Sequence, residues 1–102
     1  MPGYLNGKVV LVVGAGGDEH RAVAVALAQA GADVAIAGVT ADLAAEAALH
    51  SIANEIWAMG RKSTVVTLAA DDTPSYAAAT RAAIQELGRA DVVVHAEPLI
   101  GV

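Results

Sequence analysis

VVLVVGAGGDEHRAVAVALAQAGADVAIAG, residues 9–38, decides how this chain folds. Val9–Val13 is an unbroken Val/Leu run, the pattern of a strand covered on both faces. Gly14–Gly17 is a glycine-rich turn. Glu19–Ala30 reads as an Ala-rich helix, stopped by Gly31. Asp33–Ala37 is a second apolar strand, followed by Gly38. Strand, glycine turn, helix and strand in this order open a dinucleotide-binding βαβ unit. The turn keeps its first glycine, Gly14, but Asp18 and Glu19 stand where such a site normally shows glycine and no charge.

The rest of the chain repeats the alternation. Thr40 is placed to cap a second helix that runs to about Met59, with Asp42 in its first turn and Gly60 after it. Ser63–Leu68 is the third strand. Thr73-Pro74 starts a third helix to Leu87, with proline at the first helical position and Gly88 as the stop. Asp91–His95 is the fourth strand. β-α-β-α-β-α-β with right-handed crossovers predicts one α/β domain over residues 1–102, a three-layer Rossmann-like fold. Its four-stranded parallel sheet has the expected order 3-2-1-4. The first two helices lie on one face and the third on the other. The order reverses between strands one and four, so a ligand crevice is expected at their carboxyl ends, by Gly14–His20 and His95–Pro98.

Composition narrows the function classes. The 102 residues are 56% apolar and 3% aromatic, with no Phe, so the core is built from Ala, Val, Leu and Ile. The net charge of −5 and the scattered Lys and Arg exclude the basic patch that nucleic acid or an anionic membrane requires. There is no cysteine for a disulfide or a thiolate metal site. No leader pattern and no apolar run near ~18 residues is present, so the expected location is cytoplasmic.

The full pattern resembles the N-terminal half of the short-chain dehydrogenase/reductase family. The resemblance rests on Leu5-x-Gly7-Lys8, the VVLVVGA strand and turn, and the ALAQAGADV segment. Ala58-Met-Gly-Arg-Lys62 and Glu86-Leu-Gly-Arg-Ala-Asp-Val-Val-Val94 complete it. It implies an NAD(P)-dependent oxidoreductase fold. The cofactor-binding residues it implies here are Gly14, Gly16, Gly17, Arg21, Val39 and Asp71. The family loop Thr-Gly-x-x-x-Gly-x-Gly becomes Val13-Gly-Ala-Gly-Gly-Asp-Glu-His20, so Asp18 and His20 replace two glycines. Gly38-Val39-Thr40 offers neither the acid nor the base that selects NAD or NADP. Ala69 falls where an adenine-contacting Asp is expected, with Asp71 and Asp72 two and three residues later. The family's Asn-Asn-Ala-Gly becomes His95-Ala-Glu-Pro98. The chain ends before the region that would hold the family's Ser and Tyr-x-x-x-Lys pair. No catalytic residue is carried over, and a truncated module that is no enzyme on its own is expected.

Electrostatics argue for weak binding at most. A phosphate ~4 Å from a carboxylate, at an effective dielectric of ~20, is opposed by roughly 4 kcal/mol before screening. A helix N-terminus returns about 0.3–1 kcal/mol, or about 2 when partly buried. Phosphate is tolerated only if Asp18 and Glu19 turn outward or Arg21 compensates. Asp18 also has a simpler expected role as the cap of the first helix, a carboxylate in place of phosphate.

Other readings remain open. His20 and His95, with Asp18, Glu19 or Glu97, could form a two-His, one-carboxylate metal site; otherwise both are solvent-exposed loop histidines. His50 is expected at the surface, and Ile56, Trp57 and Met59 in packing. Strand four, Val92–Val94, is left at a sheet edge, which favours a homo-oligomer and a structural role. The cofactor, if any, is NAD or NADP.

Overall fold

A computed structural model describes residues 4–14, 16–39, 43–68 and 74–96. The elements are β1 (Val9–Gly14), α1 (Asp18–Gln29), β2 (Asp33–Val39), α2 (Leu43–Ala58), β3 (Ser63–Leu68), α3 (Pro74–Leu87) and β4 (Val92–Ala96). All strand pairs are parallel and the order is β3-β2-β1-β4, as expected. Thr40, Asp42 and Thr73, expected as caps or first-turn residues, lie outside the described residues, whereas Pro74 does open α3. No helix among the described residues is long and apolar enough to cross a membrane.

Alternation along the strands builds two cores. Val10, Val12, Val34 and Ile36 face α1 and α2, where they meet Ala24, Ala28, Leu49, Ile52, Ala53 and Ile56. Leu11, Val13, Ala35 and Ala37 face the other way, toward Ala83 and Leu87 of α3. α1 presents alanines to the sheet because a side chain ending at Cβ lets the helix axis approach closely. Its buried face is His20, Ala24 and Ala28, the two alanines fully enclosed. Of the three residues expected in packing at the end of α2, Ile56 is buried and Met59 packs on the first core. Trp57 is exposed, and its indole N–H donates to the Ser63 carbonyl at 3.2 Å.

The strands run slightly further than the apolar runs suggest. β2 continues through Gly38, which was expected to follow it. The reason is a close approach. A Cβ on Gly38 would lie 2.7 Å from the Gly14 carbonyl oxygen and 3.0 Å from Leu49 Cδ2. Glycine there marks crowding inside the sheet, not the end of the strand.

At the opposite end of the sheet, aspartates tie the strands together. The Val9 N–H donates to Asp91 Oδ2 at 2.8 Å, and the Asp91 N–H donates to the Val9 carbonyl at 2.8 Å. Arg89 Nη2 lies 2.6 Å from Asp91 Oδ1. Asp33 Oδ1 accepts the Lys62 N–H at 2.9 Å. The Val9 N–H, followed by Arg89, holds the Asp91 carboxyl below the usual carboxylate range, against the opposing pull of partial desolvation.

Candidate functional site

The crevice expected between the carboxyl ends of strands one and four is described on its β1 side, where β1 leads through the Gly16–Gly17 turn into α1; residues 97 and 98 lie outside the described residues. Gly16 has φ +81°, a conformation that a β-carbon disfavours, and the chain then enters α1 through Gly17. A Cβ on Gly16 would lie 3.1 Å from Ala48 Cβ, so the loop rests on α2. Gly17 is the N-cap and is extended (φ −90°, ψ −164°), with no side-chain capping bond. A Cβ there would meet nothing within 4 Å. The helix N-terminus therefore opens toward solvent beside an unobstructed glycine.

Asp18 does not cap the helix. It is the first helical residue, and it and Glu19 are exposed in the first turn. There they favour the positive end of the helix dipole while pointing outward. Arg21 is placed elsewhere than in the loop. Its Nε donates to Glu55 Oε2 on α2 at 2.7 Å, an exposed pair that bridges the two helices.

His20 is the largest departure from expectation. It is not an exposed loop histidine but 1% exposed, one of two buried polar residues among the described core. The Gly16 N–H donates to its Nδ1 at 3.0 Å, and its Nε2 lies 2.9 Å from the Val12 carbonyl oxygen. The ring covers Gly14 so closely that a Cβ on Gly14 would sit 2.6 Å from His20 Cγ. Gly14 is thus required by the histidine above it, whatever ligand the loop takes. A buried polar ring is held by satisfying both nitrogens, and β1 and its loop supply the partners.

For the metal reading, both ring nitrogens of His20 face backbone groups. Among the described residues no three His, Cys, Asp or Glu side chains gather. His95 stands opposite Val13 in the β1–β4 register; its side chain lies outside the described residues, as does all of Glu97. His50 is exposed near Glu46, at 3.8 Å. Of the six residues expected to hold a cofactor, Gly14, Gly16 and Gly17 share the loop, and Arg21 turns to α2. Val39 ends β2 with its side chain undescribed, and Asp71 lies outside the described residues. The sequence reading missed Gly38 and the Ala48–Leu49 shelf of α2. A lone glycine closing an apolar strand was the available signal for the first.

No family model matches the chain. It is 34% identical over 94 residues to the short-chain dehydrogenase/reductase FrzI of Cladobotryum sp, covering 92% of this chain and 35% of that protein. Among solved structures, a short-chain type dehydrogenase/reductase from Mycobacterium marinum superposes with a TM-score of 0.74 at 30% identity. That match covers 87% of this chain and 34% of the other. A blue fluorescent protein from a metagenomic library, in complex with NADPH, gives 0.78 at 31% identity, over 87% of this chain and 35% of that one. The chain thus spans about a third of the length of each of these three proteins. In sequence and in fold it corresponds to the N-terminal Rossmann half of the short-chain dehydrogenase/reductases.

Proposed function

We propose that this chain is a dinucleotide-binding Rossmann module that holds NAD(P) weakly at the β1–α1 loop. The observation that carries the reading is the N-terminus of α1. It has no side-chain cap, opens beside an unobstructed Gly17, and has its two acids turned outward. A helix end of this kind offers N–H groups to a pyrophosphate. Three features keep binding weak: the nearby negative charge of Asp18 and Glu19, the engagement of Arg21 by Glu55, and the use of the Gly16 N–H by His20. Gly38-Val39-Thr40 carries neither an acid nor a base to select one cofactor, so NADH and NADPH are held about equally. When bound, the cofactor supplies a hydride; the residues named here bind and orient its phosphates.

Calorimetric titration with NADH and NADPH tests it. The expected Kd lies between ~100 μM and ~1 mM, about 4–5.5 kcal/mol. Gly17→Leu places a side chain in front of the helix end without meeting the fold, so it abolishes the heat and changes stability by no more than about 1 kcal/mol. Absence of heat with either cofactor at high protein concentration overturns the reading.

A second reading is favoured by β4. Its described partner is β1, and Val92 and Val93 are 51% and 43% exposed. An apolar edge strand pairs with a second copy of itself, antiparallel across a two-fold axis. Sedimentation of the protein and of Val93→Lys tests this reading. A dimer that the lysine disperses supports self-association, and a monomer at all concentrations removes it.

A further inference from the structure

The geometry points to His20 as a proton-sensitive latch on the β1–α1 loop. The Gly16 N–H only donates, so Nδ1, 3.0 Å away, is the unprotonated nitrogen. The Val12 carbonyl only accepts, so Nε2, 2.9 Å away, carries the proton. The neutral Nε2–H tautomer is the form that closes both bonds. A second proton enters at Nδ1. It sets N–H against N–H at Gly16 and places a charge on a ring that is almost wholly enclosed.

The two ends of the latch differ in freedom. Val12 lies in mid-strand, paired with Ile36 of β2 on one side and Val94 of β4 on the other. Gly16 lies in a loop, at φ +81°, next to a second glycine with open space around it. Protonation therefore releases the Gly16 end while the ring stays anchored to β1.

Among the described residues, the charged groups on the elements packed around the latch are these. On α1 they are Asp18 and Glu19, exposed, and Arg21, paired with Glu55 of α2. α2 adds Glu46 and His50. β1 has no titratable side chain, and Asp33 of β2 lies at the far end of the sheet, opposite Val9. His95 of β4 is opposite Val13.

The consequence for ligand binding rests on the proposed function; the latch itself does not. With the latch closed, the Gly16 N–H is withdrawn from the phosphate cradle. Open, the loop regains that donor beside a positive imidazolium, so nucleotide affinity rises on acidification.

The test is made on the ligand-free protein by imidazole ¹⁵N–¹H correlation and amide exchange, from about pH 8 to about pH 4, through and below the ordinary histidine range, because the second proton has to enter an enclosed ring. A His20 ring that takes no second proton while the protein stays folded overturns the latch. The expected result is an Nε2–H tautomer at the upper end. The protection of the Gly16 amide then falls by ~10-fold or more, with the midpoint of His20 and not that of His50. His20→Phe, which keeps a ring and removes both nitrogens, loses that step. An Nδ1–H tautomer, or a Gly16 amide unchanged through the His20 titration, overturns the latch; both are read on the wild-type protein if the Phe variant does not fold. NADPH titration at both pH values separates the two ideas. A Gly16 transition with no heat at either pH overturns nucleotide binding and leaves the latch standing. Heat that is the same at both pH values overturns the coupling.

Discussion

β1 is bonded to a polar side chain near each of its ends, and the two attachments are built on opposite physical principles. At the start, Val9 donates to the charged carboxylate of Asp91, steadied by Arg89, at the margin of the domain. Toward the carboxyl end, the Val12 carbonyl lies against the buried ring of His20. The first is an accessible charged tie, in which solvent can take over from a lost partner. The second removes its groups from water, so every hydrogen bond has to be made inside the protein. The carboxyl end of β1 should therefore carry more energy per residue and less tolerance, although it is the end where a ligand is expected.

Removing the ring makes the largest difference between the two ends. His20→Ala leaves a cavity and strips partners from the Val12 carbonyl and the Gly16 N–H, so it should lower stability by about 3 kcal/mol, read by urea unfolding. A loss below about 1 kcal/mol would mean that the carboxyl end is no more demanding than the other.

Gly14→Ala is next. Its β-carbon would meet His20 Cγ at 2.6 Å, an overpacking that costs about 1–3 kcal/mol. In the His20→Ala background the same change should cost almost nothing, because the obstructing ring is gone. The double-mutant cycle reads this as a coupling of about 1–3 kcal/mol. Additive effects would show that Gly14 is required by something other than His20.

Asp91→Asn should have the smallest effect at neutral pH, because the amide oxygen still accepts from Val9. The signature is in the acid limb. The carboxyl of Asp91 is lowered in the folded protein, so its contribution is present above the unfolded value of about 3.9 and fades as pH falls through the folded value. Thermal unfolding followed from about pH 5 downward should show a shallower decline in Asp91→Asn than in the wild type. An identical slope would remove Asp91 as a contributor to acid sensitivity.

At the amino end the chain announced where the strands begin, at about Asp33 and Asp91, but not what their carboxylates hold. Ala32-Asp33-Val34 and Ala90-Asp91-Val92 place an acid just before or at the start of a strand, where neighbouring backbone N–H groups await partners. The carboxyl end was less legible. Glycines 14, 16 and 17 marked the turn, yet two roles inferred there, those of Asp18 and His20, came out differently, and Arg21 has a partner that the sequence did not announce. Asp18 belongs to the first helical turn and leaves the cap to Gly17, because the chain enters α1 one residue earlier. Arg21 reaches Glu55, a partner 34 residues away that no local pattern announces. His20, in a polar run of Asp-Glu-His-Arg, looks solvated until the ring is seen to fill the space over Gly14.

The order of elements, the parallel sheet β3-β2-β1-β4 and the division of helices between its faces followed from local patterns: apolar runs of strand length, helix stops at glycine, and the single hand of the crossover connection. These are properties of adjacent residues and of chain chirality, so they are written along the sequence. Which side chain occupies the space above Gly14, which carboxylate takes Arg21, and why β2 passes through Gly38 depend on distances between segments far apart in the chain. Those distances exist only once two helices and two strands have packed around the same loop, and it was the packing that turned an apparently exposed histidine into the buried keystone of the β1–α1 turn.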